Sequence, residues 1–205
     1  MVDKVQIIID GKTIDLDLLR ASQGADVVDV RGLIAEGIYT YDPGFLSTAA
    51  CDSHITYIDG DVGVLMYRGY PIEQLAEHSS HMEVCSLLFN GELPTSSELE
   101  NYINDINSEM EIDSHFQNLF SGFTADSHPM SVICAATAGL ASLYYDGLDI
   151  TDASHRELAA KRLVAKMPTL AAMTYKLSQG EDFIAPVPGL SYAENFLHKI
   201  GRAHV

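Results

Sequence analysis

A mainly α, multi-helix fold with a small β-rich N-terminal region is predicted for this chain by a change of pattern near residue 70. Before that point, short runs of alternating apolar and polar residues are interrupted by Asp-Gly pairs, the signature of half-buried strands joined in hairpins. After it, helix start and stop signals and helical spacing of apolar residues recur as far as His198. The chain has 205 residues, 47% of them hydrophobic, which is enough to build a core in one or two domains.

The elements follow in order. Residues 5–10 alternate, Asp10-Gly11 supplies a turn, and residues 13–18 resume the alternation. Residues 27–30 and 37–41 are short strand candidates, and residues 55–58 and 62–67 flank Asp59-Gly60 as a second hairpin. Pro71 suits the first turn of a helix reaching His78. A helix over 82–89 closes at Asn90-Gly91, where glycine can take the left-handed conformation. Thr95-Ser96-Ser97-Glu98 is a capping box that opens a helix to about Met110. Phe116, Leu119, Phe120 and Phe123 carry another at helical spacing. Residues 129–145 are small or apolar on nearly every face, so this helix is expected to be surrounded by others. Residues 155–166 are amphipathic and expected to end at Pro168, with a separate helix over 169–178. Residues 182–189 hold two prolines and read as a loop, and 191–197 begins a last helix. The predicted division is 1–70 as the β-rich region, 71–198 as part of a large helical domain, and 199–205 as a non-native tail. There is no internal repeat at a solenoid period.

Composition narrows the function. Twelve basic residues stand against 29 acidic ones, a formal charge of −17, which argues against binding a phosphate backbone or an anionic membrane. The N-terminus lacks the basic start and apolar core of a secretory signal, and no apolar stretch is long enough to span a bilayer. Cys51, Cys85 and Cys134 are odd in number and lack CxxC spacing, so no disulfide framework or zinc site is expected. Cys85 and Cys134 read as small core residues, and the expected location is the cytoplasm.

Common catalytic signatures are missing: there is no GxGxxG, P-loop, HExxH or GxSxG. Asp59-Gly60-Asp61 opens no calcium loop, because the sixth and twelfth loop positions are Val64 and Tyr70. Ser127-His128 has no placed acid or oxyanion donor, and is better read as a helix start capped by Asp126 or Ser127. Arg68, between a strand and a helix start, suits a structural role tying loop carbonyls or a carboxylate together. Arg162 and Lys166 are one helical turn apart and could receive an anion together with Tyr144. From spacing alone, a solvated basic strip paired with Glu157 or Asp152 is the better account.

Several separated blocks carry a family resemblance. They are Tyr41-Asp42-Pro43-Gly44-Phe45, Ile58-Asp59-Gly60-Asp61, Tyr67-Arg68-Gly69-Tyr70-Pro71-Ile72, Glu83-Val84-Cys85, Asn90-Gly91-Glu92-Leu93-Pro94-Thr95, Asp126-Ser127-His128-Pro129-Met130 and Lys166-Met167-Pro168-Thr169. In this order they resemble the N-terminal half of a citrate synthase, over residues 5–198. The β-rich extension resembles the larger type II, Gram-negative bacterial form, which implies an allosteric homo-oligomer, a hexamer built from dimers and often inhibited by NADH. The resemblance implies a citrate-synthase-like multi-helix fold, truncated here. It implies an acyltransferase of the tricarboxylic acid cycle acting on acetyl-CoA and oxaloacetate, with no cofactor. In that family a histidine and an aspartate enolise the acetyl group, a second histidine polarises the oxaloacetate carbonyl, and arginines clamp carboxylates. None of these residues has a match in this chain, so no catalytic, cofactor or metal residue is assigned and the chain itself is expected to be inactive. Tyr144, Arg162 and Lys166 match a tyrosine, arginine and lysine of the family's NADH pocket. Ser108 and Glu109 stand where NADH-sensitive members have an arginine–histidine pair, and Pro188 where they have an asparagine. The parent is therefore expected to bind NADH weakly or not at all. A 2-methylcitrate synthase acting on propionyl-CoA, or a noncatalytic helical interaction module, are the alternatives.

The end of the chain departs from the family. Residues 200–205 back-translate to ATCGGAAGAGCACACGTC, one frame of a common sequencing adapter whose next codon is a stop. The expectation is a non-native tail on an artificially shortened reading frame, and a chain prone to aggregation or loose packing.

Overall fold

The computed structural model describes residues 3–201. The chain forms two compact units, Met1–Pro94 and Thr95–Val205.

The first unit holds two small antiparallel sheets. β1 (Asp3–Ile9) pairs with β2 (Lys12–Leu19), with Ile7 opposite Ile14. Asp10 and Gly11 both have positive φ, 50° and 78°, the two-residue turn that matches the twist of a hairpin. β3 (Val27–Asp29) extends this sheet on the β2 side. A 3-10 segment, Val30–Glu36, follows, with Asp29 accepting from the Arg31 N–H and Gly37 closing it at φ 71°. The strand expected over 37–41 does not form, because the chain leaves this cap as irregular backbone. β4 (Thr56–Asp59), β5 (Val64–Tyr67) and β6 (Tyr70–Pro71) make the second sheet. α1 (Ile72–His78) and α2 (His81–Asn90) follow. α2 opens on a Ser80/Glu83 capping box and closes at Gly91, φ 93°.

The second unit is helical. α3 (Ser96–Ser108) starts at the Thr95/Glu98 capping box. The phenylalanine-rich stretch is broken into α4 (Ser114–Gln117) and a 3-10 segment, Asn118–Gly122, rather than forming one helix. α5 (Pro129–Leu140) packs against α6 (Ala153–Gln179), and α7 (Tyr192–Lys199) packs against α6 as well. The core collects Ile112, Phe116, Phe120, Val132, Ala136, Leu140, Leu170 and Met173. Each large apolar side chain so buried stabilises the unit by about 1.5–3 kcal/mol. Gly139 lets the phenylalanine layer approach α5, since a Cβ there would lie 3.2 Å from the Phe116 ring. Phe183 completes the layer edge-on to Phe120, with centroids 5.4 Å apart.

Two helix expectations are corrected. α5 ends at Leu140 rather than Tyr145, and only the Val132–Ala136–Leu140 side is buried. Met130 is 57% exposed and Cys134 lies on the exposed side, so Cys134 is not a core residue. Cys85 is half-buried, with its thiol pKa pushed up by burial. Pro168 does not end a helix: α6 runs through it as one element of 27 residues.

α7 continues through Lys199, whose side chain is 1% exposed and donates from Nζ to Thr169 Oγ1 at 2.7 Å. Of the expected tail, residues 202–205 lie outside the described residues. Burial pulls the Lys199 pKa down to about 8. The unfolded chain therefore binds more protons than the folded one between pH 8 and the ordinary lysine value of 10.5, and this group's contribution to stability rises with pH across that window. Lys199→Met should raise stability near pH 7 by up to about 3 kcal/mol. Urea titrations of both chains at a series of pH values should show the difference shrinking to near zero by about pH 10.5.

Candidate functional site

Backbone geometry after α3 creates a polar joint inside the helical unit. α3 stops at Ser108, and residues 109–112 run on into the core, with Met110 and Ile112 buried. Carbonyls at a helix end have no intrahelical donor, and burying them without one is costly. α6 supplies the donors. Lys166 Nζ donates to the carbonyls of Glu109 at 2.6 Å and Glu111 at 2.8 Å. Thr169 Oγ1, nearly one turn further along, donates to the Met110 carbonyl at 3.1 Å. Three consecutive carbonyls are thus met by two side chains of one helix.

The residues singled out in the sequence meet here. Tyr144, in the turn after α5, lies under the Arg162 guanidinium, with Arg162 Cζ 4.1 Å from the ring centroid. Lys166 Nζ is 5.5 Å from the same centroid. Such contacts hold a cation against the negative face of the ring. The counter-charge is Glu109, whose Oε2 is 3.3 Å from Arg162 Nε and 3.8 Å from Lys166 Nζ. This corrects the expected pairing with Glu157 or Asp152. Glu157 instead pairs with Lys161, and the Asp152 side chain caps the start of α6. Spacing along α6 could not reveal Glu109, which lies 53 residues before Arg162.

Chemically this is an internally paired cluster, in which one carboxylate offsets one of two positive charges, rather than an open anion site. Lys166 is 2% exposed, and its ammonium is turned to two carbonyls and a carboxylate. An incoming phosphate would have to displace Glu109 from Arg162. A cleft of 370 Å³ lies beside the cluster, lined in part by Ser108, Glu111, Pro188 and Asn195. Among the described residues no lysine, arginine or histidine lines it. Pro188 brings no N–H donor, and Ser108 Oγ donates to the Asp105 carbonyl at 2.7 Å. Among the described residues no group of histidine, cysteine and carboxylate side chains is arranged to hold a metal ion, and no helix is long and apolar enough to cross a membrane.

The other candidates are structural. Arg68 Nε and one terminal nitrogen both reach the Leu88 carbonyl, at 3.2 and 2.6 Å, in the last turn of α2. Its other terminal nitrogen reaches the His54 carbonyl at 3.4 Å. Arg68 and Gly69 also form the turn between β5 and β6, with φ 51° and 87°. Ser127 and His128 do not address one another. Ser127 Oγ accepts from the Thr124 N–H, and His128 Nδ1 accepts from the Met130 N–H at 3.2 Å. His128 is therefore the cap of α5, in place of Asp126 or Ser127. The Thr124 hydroxyl beside Asp126 holds that carboxyl below its usual range.

Comparison with known proteins places this fold. The family model for the citrate synthase C-terminal domain matches residues 44–204. The chain belongs to the citrate synthase family. It is similar to the citrate synthase of Pyrobaculum aerophilum, with 31% identity and a TM-score of 0.69, over 97% of this chain and 46% of that one. The Thermotoga maritima citrate synthase matches at 29% identity and TM-score 0.66, over 79% of this chain and 42% of that one. The Thermoplasma acidophilum citrate synthase, seen in a ternary complex with carboxymethyl coenzyme A and oxaloacetate, matches at 25% identity and TM-score 0.70. That match covers 77% of this chain and 41% of that one. This chain thus spans less than half the length of each of these structures.

If the cluster is a structural staple, its lysine and its carboxylate differ in weight. Lys166→Met leaves the buried carbonyls of Glu109 and Glu111 without their side-chain donor, while Glu109 keeps Arg162, and should cost about 2–5 kcal/mol in urea unfolding. Glu109→Gln loses only a partly exposed ion pair and should cost less than about 1 kcal/mol. Equal costs would point to the charges, and not the carbonyls, as the source of the stability.

Proposed function

We propose that this chain is the N-terminal, scaffold-forming part of a citrate synthase, the acyltransferase that condenses acetyl-CoA with oxaloacetate and water to citrate and CoA. The observation that carries this reading is the match to the Pyrobaculum aerophilum enzyme, which takes in 97% of this chain but 46% of that protein. The substrate class is supported by the Thermoplasma acidophilum neighbour, solved with a coenzyme A derivative and oxaloacetate. Residues for enolisation and for clamping carboxylates are supplied by sequence this chain does not contain, so the chain alone is inactive. The whole enzyme works in the cytoplasm as a dimer or hexamer of the Gram-negative type and needs no cofactor.

The same enzyme is insensitive to NADH. Tyr144, Arg162 and Lys166 are placed together, but the Glu109 carboxylate already engages both cations and offsets one of their two charges. A dinucleotide pyrophosphate would meet a carboxylate there, and a carboxylate brought against phosphate oxygens in a half-buried site is repelled.

The test measures oxaloacetate-dependent release of CoA by this chain and by the same chain continued to the length of its relatives. The chain alone should release none. The continued chain should turn over acetyl-CoA faster than propionyl-CoA and be unaffected by micromolar NADH. Turnover by the chain alone would overturn its assignment as a scaffold, and faster use of propionyl-CoA would reassign the enzyme as a 2-methylcitrate synthase. Inhibition by micromolar NADH would overturn the role given to Glu109.

A further inference from the structure

Pro168 sits inside α6 and has no N–H, so the Val164 carbonyl loses the donor that an α-helix normally provides four residues on. That carbonyl is not left empty. The hydroxyl of Tyr192, in the first turn of α7, donates to it at 2.8 Å. The bond joins residues 28 apart in sequence and uses a phenol to fill a position that proline opened.

α7 carries a second fixed connection. Asn195, 3% exposed, holds the chain before α7 with both ends of its amide. Its Oδ1 accepts from the Val187 N–H at 2.7 Å, and its Nδ2 donates to the carbonyls of Val187 and Leu190, each at 3.1 Å. Val187, Leu190 and Asn195 all line the 370 Å³ cleft. Tyr192 and Asn195 are three apart, on neighbouring positions of one helix, so one short element grips the proline site of α6 and one wall of the cleft.

We infer that α7 is a latch: the Tyr192 hydroxyl docks it on the carbonyl that Pro168 frees, and its docking and the 187–190 cleft wall form one cooperative unit. When α7 lifts, the Val164 carbonyl loses its tyrosine donor, the Asn195 amide leaves the wall, and the cleft loses its shape. When α7 is seated, all three are fixed together. The proline is then part of a docking site, and its apparent cost inside a helix is offset by a contact that only α7 can make.

The experiment is a double-mutant cycle with hydrogen exchange as a second readout. Tyr192→Phe keeps the ring and removes the hydroxyl that donates to Val164. In the Pro168 background it should lower the thermal midpoint by about 2–4 °C, the shift expected for one lost hydrogen bond in a chain of this size. It should also speed amide exchange across α7 and at Val187, whose N–H is held by Asn195. In a Pro168→Ala background the helix supplies its own N–H to Val164, so Tyr192→Phe should shift the midpoint by less than about 1 °C. A loss of the same size in both backgrounds, or none in either, would overturn the latch and leave Tyr192 as a packing residue. Should Pro168→Ala fail to fold, exchange in Tyr192→Phe alone decides. Faster exchange in α7 together with Val187 supports the latch, and faster exchange in α7 without Val187, or no change, overturns it.

Discussion

The helical unit depends on one constraint: the buried backbone of residues 109–111, just past the end of α3, must find hydrogen-bond donors, and α6 supplies them. Residues 109–111 have left the helix, pair with no strand, and lead into a core that includes Ile112, Phe116 and Phe120. Lys166 and Thr169 answer by meeting the carbonyls of Glu109, Met110 and Glu111 in succession. Side chains in a cavity of this kind are selected for reach and donor count, which suits a lysine with three N–H groups and a threonine that can donate and accept at once. Thr169 uses both capacities, since it also accepts from Lys199 of α7.

Other features follow from this pairing. α6 has to be buried around its second half, where Ala165, Leu170, Ala172 and Met173 pack, while its first half stays accessible and carries Lys161 and Arg162. Glu109 comes to Arg162 because its own carbonyl is fixed to Lys166, so the ion pair is a consequence of backbone placement. Tyr144 then closes the cluster from the turn after α5. A group of residues that matches the family's NADH pocket in sequence forms, in three dimensions, a joint between α3 and α6.

Local chemistry was legible from sequence and long-range supply was not. Asp10-Gly11, the Thr95/Glu98 capping box and Gly91 act within a few residues, so their turns and caps could be placed directly. The Ser80/Glu83 capping box has the same recognisable pattern. Pro168 does not end α6 as expected, because the rule that proline ends a helix assumes no outside donor, and a distant tyrosine provides one. α5 was expected to be enclosed because its small and apolar residues surround it, whereas the described chain covers only the side facing the core. The partner of Arg162 and Lys166 could not be read from spacing, since ion pairs across 53 residues depend on where a helix stops. The family blocks identified the fold while several of their residues, Arg68 and His128 among them, turned out to satisfy backbone groups.

A double-mutant cycle between Lys166 and Thr169, read by urea unfolding, tests the central constraint most directly. Lys166→Met and Thr169→Val each free part of the same three-residue segment. If that segment is held as a unit, the second substitution should cost at least about 1 kcal/mol less once the first is present. Strictly additive costs would mean that the two side chains act independently, and that the junction of α3 with α6 is held by something other than these three carbonyls.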